Sequence, residues 1–119
     1  MKAVLLVSHG SKNKKTLEEV RVTTEKLQSQ NPDHLVDFAF MEIENPLIPE
    51  GVKSCIDRGA KEVLILLNFL NTGRHTQEDV PEIVEGVKRE YPDIKISISS
   101  PVGQQEGMID LFTTLIHES

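Results

Sequence analysis

Two histidines of the sequence follow apolar runs and could bind a metal ion or accept a proton. His9 comes directly after the apolar residues 3–7, and His75 lies in the polar stretch that follows the apolar residues 63–67. Neutral imidazole is a common ligand of transition metals and titrates near neutral pH. Glu42 follows another apolar stretch, and its carboxylate could ligate the same ion or accept a proton. Two imidazoles and a carboxylate would suit Co²⁺, Ni²⁺ or Fe²⁺ if the fold brought them together.

Basic residues cluster shortly after the first apolar run. Lys12, Lys14 and Lys15 lie at the start of a predicted helix, where positive charge opposes the positive end of the helix dipole. This placement indicates either an anionic ligand, held also by backbone N–H groups and Ser11, or a solvated run of charges. Arg74 could bind carboxylates or phosphates in the same way.

Apolar stretches and helical periodicities alternate along the chain. Runs of apolar residues predict strands, and apolar residues at spacings of three and four predict amphipathic helices. The predicted strands are residues 3–7, 35–40, 63–67 and 94–98. The predicted helices are residues 14–30, a segment opened by Pro46 and stopped by Gly59, a segment with Asp79 as N-cap and Glu82 as its capping partner that ends at Tyr91, and a last helix marked by Met108, Leu111, Phe112 and Leu115.

This alternation predicts an α/β fold, because strands that follow helices in turn form a parallel sheet with helices on both faces. We expect one domain over residues 1–119, a three-layer sandwich around a four-stranded parallel sheet. Ligands of such sheets bind beyond the carboxyl ends of the strands. The loops at that edge are residues 8–14, 41–46, 68–79 and 99–104. They contain His9, Glu42 and His75.

Composition excludes several classes of function. The chain has 119 residues, and 13 basic against 19 acidic side chains give a net charge of −6, which argues against binding to nucleic acid or to an anionic membrane. The single Cys55 excludes an internal disulfide and a multi-cysteine zinc site, and indicates a reducing cytoplasm. The apolar runs are too short for a signal-peptide core or a membrane span. We therefore expect a cytoplasmic protein.

Other chemistries fit the same residues less well. Ser8 and His9 are adjacent, but a serine hydrolase would need the Gly-x-Ser-x-Gly turn, which the sequence lacks. Phosphohistidine enzymes share only the His-Gly dipeptide, with Ser8 in the place of an arginine. A glycine-rich nucleotide-binding motif is also missing from the sequence. His34 and His117 lie away from the predicted functional edge and are interpreted as surface residues.

Several short motifs together resemble the small, single-domain class II sirohydrochlorin chelatases of cobalamin, sirohaem and nickel-tetrapyrrole synthesis. The motifs are VLLVSHGS at 4–11, AFMEI at 39–43, NFL at 68–70, GRH at 73–75, EDVP at 78–81 and PVG at 101–103. The resemblance covers almost the whole chain, and the combination is more specific than any one motif. It implies a chelatase-like, flavodoxin-related fold.

The resemblance implies an enzyme of the lyase type that inserts a divalent metal into sirohydrochlorin and releases two protons. His9 and His75 would bind the metal, one of them acting as base toward a pyrrole N–H, and Glu42 would assist as ligand or proton acceptor. The implied substrate-binding residues are Ser8, Gly10, Ser11, Lys12, Gly73, Arg74 and Thr76. Co²⁺ is the expected metal, with Fe²⁺ and Ni²⁺ as alternatives. The metal is a substrate, and no permanently bound cofactor is expected.

The resemblance also implies partners. The substrate is a polycarboxylate, which would give the basic cluster a ligand despite the net negative charge. Family members of this length resemble half of the longer two-domain chelatases, which implies a homodimer with a cleft between its subunits. The alternative functions are a non-catalytic tetrapyrrole or metal carrier and a flavodoxin-like binding module, which would bind tightly without turnover.

Overall fold

The computed structural model describes the backbone of residues 1–119 and all side chains except those of His75 and Thr76. Its strands are β1 (Lys2–Ser8), β2 (Leu35–Phe40), β3 (Glu62–Leu67) and β4 (Lys95–Ile98), and its helices are α1 (Lys14–Gln30), α2 (Ile48–Asp57), α3 (Val80–Glu90) and α4 (Gly107–Glu118). A π-helical turn, His75–Asp79, precedes α3, and a 3₁₀ turn, Val102–Gln104, precedes α4. No helix in this described part of the chain is long and apolar enough to cross a membrane.

The strands form one parallel sheet in the order β2-β1-β3-β4, which confirms the predicted fold class. β1 lies inside the sheet, where Val7 pairs with Ala39 of β2 on one side and with Leu67 of β3 on the other. A strand that is paired along both edges and faces helices has no side open to water. This position explains the continuous apolar run of β1.

One face of the sheet, which we call the closed face, is covered by α2 and α3. Val63 and Ile65 of β3 point to this face and are fully buried. They belong to a core with Val52 and Cys55 of α2 and Val84 of α3. Apolar residues at spacings of three and four on both helices explain why this face excludes water.

The opposite face, which we call the open face, contacts α1. Val20 of α1 packs there against Leu6 of β1 and Phe40 of β2. Leu64 and Leu66 of β3 also point to this face, but they are only partly buried. A cavity of about 240 Å³ remains between α1 and the sheet, and its apolar lining is Val4, Leu27, Val36, Leu64 and Leu66, with Lys2, Asn31 and His34 around them.

The last helix, α4, forms where the sequence predicts it but does not complete the layer on the open face. The structure describes all of its residues, and none of them is buried. Its principal neighbour is the preceding 3₁₀ turn. The molecule is elongated as a result: its radius of gyration is 14.8 Å, whereas a compact chain of this length would have about 13.5 Å.

One predicted helix start is wrong. Pro46 does not open α2: it follows Asn45 in a cis peptide, and its carbonyl accepts a hydrogen bond from the Phe40 N–H at 2.9 Å. The α2 helix begins at Ile48, so that Pro49 takes the first-turn position, where the missing N–H is tolerated. Pro46 and Pro49 could each have opened the helix. The hydrogen bond between Phe40 and Pro46 extends the backbone pairing beyond β2, so only Pro49 lies in the helix.

Asp79 directly precedes α3 and Pro81 lies in its first turn, as predicted, but Asp79 does not have the extended backbone of an N-cap. Its backbone angles are already helical (φ −70°, ψ −47°), because the π-helical turn continues the helix in the N-terminal direction. The predicted capping pair of Asp79 with Glu82 is therefore wrong. A π-helical turn has wider hydrogen-bond spacing than an α-helix, and this accommodates Pro81, which the prediction treated as a marker of the helix start.

Candidate active site at the carboxyl edge of the sheet

The carboxyl ends of β1 and β3 form a crevice. These strands are neighbours, but the helices that follow them leave toward opposite faces: Val20 of α1 packs on the open face and Val84 of α3 on the closed face. Adjacent loops that diverge in this way leave a groove between them, which is the usual ligand site of open α/β sheets. His9 and Phe69 border this groove.

Two hydrogen bonds hold the walls of the crevice together. The Asn68 N–H donates to the Val7 carbonyl oxygen at 2.9 Å, which extends the pairing of β1 with β3. The Asn68 side-chain amide donates to the Ser8 hydroxyl oxygen, also at 2.9 Å. Ser8 is only 7% exposed. Ser8, predicted to bind substrate, therefore lies beneath the crevice, where its hydroxyl links the two strands.

His9 lies at the mouth of the crevice with an exposed side chain. Its ring packs edge-on against Phe69, with 4.4 Å between the ring centroids. Both residues border a cavity of about 430 Å³. The cavity is lined by His9, Asn68, Phe69, Leu70, Asn71 and Gly73. The contact with Phe69 supports one side of the imidazole, and its exposed side remains accessible to a metal ion or a proton donor.

The backbone between β1 and β2 brings Glu42 beside His9. The Glu42 N–H donates to the His9 carbonyl oxygen at 3.1 Å. Gly10 follows with φ of +101°, and a Cβ atom there would overlap the Glu42 carbonyl oxygen. Only glycine satisfies both requirements. The His-Gly dipeptide therefore sets the close approach of the two loops.

A second cavity, of about 250 Å³, borders Glu42. It is lined by Met41, Glu42, Asp79, Glu82 and Ile83. The two cavities adjoin opposite ends of one stretch of chain, because Gly73 borders the first and Asp79 the second. The side chains of His75 and Thr76, in this stretch, lie outside the described residues. The predicted pairing of His9 with His75 stays a prediction.

The start of α1 is capped by its own residues. The Ser11 hydroxyl oxygen accepts from the Asn13 N–H at 3.0 Å, and the Asn13 side chain accepts from the Lys15 N–H at 2.9 Å. Lys12 and Lys14 are exposed, as is Lys15. An anionic ligand would therefore contact lysine side chains here, while Ser11 already has a structural role.

Arg74 is exposed and pairs with Glu78 at 3.3 Å. Ion pairs between exposed side chains are weak, because water competes for both partners. The guanidinium group of Arg74 remains available to a carboxylate ligand. Gly73, next to it, borders the cavity of His9.

Among the side chains that the structure describes, no three His, Cys, Asp or Glu residues are grouped closely enough to hold a metal ion. This set does not include the His75 imidazole. His34 and His117 lie outside the crevice, as predicted: His34 borders the cavity on the open face, and His117 lies in the last turn of α4.

Asn68 and Phe69 are site residues that the search for catalytic residue types missed. Both are placed by β3, which ends one residue before Asn68. The available signal was the position of Asn68, a polar residue directly after the most apolar strand of the chain. Phe69 gave no such signal, since an aromatic residue after a buried strand is typical of a core.

Comparison with known proteins identifies the family. The CbiX family profile matches residues 3–119. The chain belongs to the CbiX family. The predicted resemblance is confirmed by this match. A sirohydrochlorin ferrochelatase of Priestia megaterium is 29% identical over 119 residues, which are 100% of this chain and 45% of that protein.

Two further relatives differ in length. A sirohydrochlorin cobaltochelatase of Sulfolobus acidocaldarius is 33% identical over 111 residues, which are 93% of this chain and 86% of that protein. The solved structure of the sirohydrochlorin chelatase SirB from Bacillus subtilis subspecies spizizenii in complex with cobalt matches with a TM-score of 0.87 and 28% identity, over 98% of this chain and 50% of that one. This chain spans less than half the length of the first curated relatives it matches.

Proposed function

We propose that this CbiX-family chain is a sirohydrochlorin chelatase, which inserts a divalent metal ion into the tetrapyrrole and releases two protons. The observation that carries the proposal is the position of His9, exposed at the crevice between β1 and β3 and held against Phe69. The family match and the chelatase activities for which the relatives are named support the same reaction. The metal ion is a substrate, and the proposal includes no resident cofactor.

The reaction needs groups that replace water on the ion and accept protons from the ring. Neutral imidazole can do both, so we assign His9 and His75 to the metal and one of them to a pyrrole N–H. Glu42, joined to His9 through the backbone, would accept a proton or neutralise charge. Imidazole and carboxylate accept Co²⁺, Fe²⁺ and Ni²⁺, and we propose Co²⁺ as the principal metal.

The charges around the crevice support a polycarboxylate substrate. Lys12, Lys14 and Lys15 are exposed at the start of α1, which follows His9 in the chain. Arg74 is the first basic residue after the carboxyl end of β3. Lysine and arginine on both sides of the crevice would attract the peripheral carboxylates of the macrocycle and leave its central nitrogens facing His9.

We further propose a homodimer that works in a reducing compartment, the cytoplasm. A macrocycle needs a broad, shielded cleft, and the cavity beside His9 measures about 430 Å³, near the low end of the roughly 300–1,000 Å³ of small-molecule sites. A second subunit would enlarge and shield it. The one cysteine of the sequence, Cys55, is a buried free thiol, which suits a reducing environment.

The test is an anaerobic assay in which the change in tetrapyrrole absorbance follows metal insertion. We expect the protein to accelerate insertion of Co²⁺ above the spontaneous rate. His9→Ala and His75→Ala should each lower this rate at least about 100-fold, since both act directly on the ion or its displaced protons. His117→Ala, an exposed histidine on α4, is the matched control and should keep full activity.

Two outcomes would contradict the assignment. Stoichiometric binding of sirohydrochlorin without acceleration by Co²⁺, Fe²⁺ or Ni²⁺ would identify a carrier instead of a chelatase. Full activity of His9→Ala would remove His9 from the mechanism. Circular dichroism of each variant separates loss of chemistry from loss of fold.

A further inference from the structure

Large apolar side chains are exposed at the carboxyl edge of the sheet, in three of the loops that follow its strands. They are Ile43 after β2, Leu70 after β3 and Val102 after β4, and their exposed fractions are 57%, 60% and 40%. One exposed apolar residue is common on a protein surface, but several on adjoining loops mark a place where a ligand or partner binds. We call Ile43, Leu70 and Val102 the apolar rim.

The order of the strands places the apolar rim on both sides of His9. Because β2 and β3 pair with the two edges of β1, which ends just before His9, Ile43 lies on one side of this histidine and Leu70 on the other. Val102 lies beside Leu70, since a Cβ atom on the next residue, Gly103, would overlap the Leu70 backbone. Neighbouring strands are about 4.8 Å apart, so the apolar rim spans roughly 14 Å. This breadth suits a flat macrocycle better than a single ring.

Ile43 has a backbone conformation that its side chain disfavours. Its φ is +71°, and the Glu44 N–H donates to the Glu42 carbonyl oxygen across it at 2.8 Å. This is a γ-turn of the rare, strained type, and a β-branched residue at positive φ is an outlier. Glycine would form the same turn without the steric conflict of a Cβ atom. Because the Ile43 side chain also gains little burial within its own chain, we infer that it contacts a ligand.

The backbone that carries Leu70 is held in place although its side chain is exposed. The Leu70 carbonyl oxygen accepts a hydrogen bond from the Gln104 side-chain amide at 2.9 Å. The preceding residue, Phe69, is buried and accepts from the Gly103 N–H at 3.0 Å. Leu70 lines the cavity of about 430 Å³ beside His9. A held backbone presents this apolar side chain in one place, which keeps the entropy cost of binding a ligand low.

Basic side chains lie in the same loops as His9 and the apolar rim. Lys12 follows His9 on the way into α1, and Arg74 follows Leu70 after β3. Both basic side chains are exposed. Apolar and cationic groups on adjacent loops together suit a ligand with an apolar face and an anionic periphery. A tetrapyrrole polycarboxylate has both.

We propose that the apolar rim binds one face of the tetrapyrrole macrocycle, and that an isoleucine occupies the strained position 43 because its side chain makes this contact. The inference rests on the proposed function and deepens it, since it names the side chains that hold the apolar part of the substrate. These side chains carry neither a metal ligand nor a proton acceptor. Their loss should therefore weaken binding of the metal-free macrocycle itself.

The first experiment is titration of the full chain with metal-free sirohydrochlorin, followed by tetrapyrrole fluorescence. Leu70→Ala should weaken binding about tenfold, the effect of losing roughly 50 Å² of apolar contact. Val102→Ala removes a smaller side chain and should weaken binding about threefold. Val22→Ala is the matched control, because Val22 is a valine on α1 with almost the same exposure, 39%. It should bind as tightly as the wild type.

The second experiment separates the Ile43 side chain from the turn that carries it. Ile43→Gly relieves the strain, so the thermal unfolding midpoint should rise by roughly 2–6 °C. The same variant lacks the apolar contact, so its affinity for sirohydrochlorin should fall about tenfold. Ile43→Ala keeps a Cβ atom at positive φ and should lose the same affinity with a smaller change in the midpoint. A purely structural role would move stability and affinity in the same direction.

Salt separates the apolar rim from the basic residues. The affinity lost in Leu70→Ala should be the same at low salt and at about 1 M salt, because apolar contacts are not screened. The affinity lost in Lys12→Ala should shrink as salt is added, since it comes from attraction to the substrate carboxylates. A loss in Leu70→Ala that disappears at high salt would contradict an apolar contact.

The results that overturn the apolar rim differ from those that overturn the chelatase function. If the wild type inserts Co²⁺ while Leu70→Ala and Ile43→Ala bind sirohydrochlorin as tightly as the wild type, the apolar rim is wrong and the proposed function stands. If the wild type does not bind sirohydrochlorin, both fall. A lower thermal midpoint for Ile43→Gly would show that the side chain stabilises its own chain, which contradicts the role assigned to it.

Discussion

The two faces of the sheet differ although the same strands build both. In β3, Val63 and Ile65 are fully buried on the closed face, while Leu64 and Leu66 between and after them are partly exposed on the open face. The closed face receives two helices, and the open face receives α1 alone because α4 leaves the domain. A strand can therefore be apolar on both sides and still be covered on only one by its own chain. The incomplete side is where assembly can add stability.

The largest expected difference between the faces is in thiol reactivity. Burial on the closed face raises the pKa of the Cys55 thiol and excludes reagents. We expect Cys55 to react with a thiol reagent at least about a thousandfold more slowly in the folded chain than in urea. The reaction is followed by absorbance at mildly alkaline pH. Because the folded state disfavours the thiolate, the Cys55 thiol favours folding most below its ordinary pKa. The free energy of unfolding therefore decreases as the pH rises above that value.

Leu64→Cys in a Cys55→Ala background provides the comparison on the open face. In dilute solution this thiol should react within about tenfold of its unfolded rate, since local access does not require global unfolding. Equal protection of the two thiols would show that the open face is covered within one chain.

Side-chain truncation should show the next largest difference. Ile65→Ala removes a fully buried side chain from the closed face and should lower the free energy of unfolding by about 3 kcal/mol. Leu64→Ala should lower it by only about 1 kcal/mol in dilute solution, because Leu64 is already partly hydrated. Urea unfolding curves measure both. If a second copy covers the open face, the loss for Leu64→Ala should grow with protein concentration. If Leu64→Ala and Ile65→Ala lose the same free energy of unfolding at every concentration, the two faces do not differ in burial.

A smaller effect tests whether the connection from β1 to α1, which leads from the crevice to the open face, is rigid. Gly10 begins the connection from β1 to α1, and Gly10→Ala should lower the free energy of unfolding by about 2 kcal/mol, from strain at positive φ and from overlap with Glu42. Gly86→Ala, in α3, meets no atoms within 4 Å and should raise stability by about 0.5–1 kcal/mol. Thermal unfolding with calorimetry checks both signs. An unchanged Gly10→Ala variant would mean that the His9 and Glu42 loops are free to separate.

Much of the fold could be predicted from hydrophobic pattern. The buried β1 and β3 are continuous apolar runs, and a run of this kind identifies a central strand of a parallel sheet. The error at Pro46 arose because backbone pairing beyond β2 overrides a local rule, whereas Pro81 correctly marks the first turn of α3. The position of α4 could not be predicted, because an apolar stripe specifies that a helix is covered and does not specify which chain covers it.

The candidate site was predictable in part for the same reason. His9 and Glu42 end up adjacent because parallel strands direct their carboxyl ends to one edge, and that rule needs only the order of elements. The edge-on contact with Phe69 and the hydrogen bond between Asn68 and Ser8 depend on register and rotamers. These two contacts depend on how the side chains pack, and packing cannot be predicted from residue type and spacing alone.

Hydrogen bonds join the 3₁₀ turn before α4 to the chain that follows β3, and this connection has a thermodynamic consequence. Phe69 and Leu70 line the cavity beside His9, and their carbonyl oxygens accept hydrogen bonds from the Gly103 N–H and the Gln104 side-chain amide, which precede α4. One short length of chain thus links two events, occupation of the cavity and any displacement of α4 when the proposed homodimer forms. Reciprocity then applies: any factor by which a ligand in the cavity changes dimer affinity is the factor by which dimerisation changes ligand affinity.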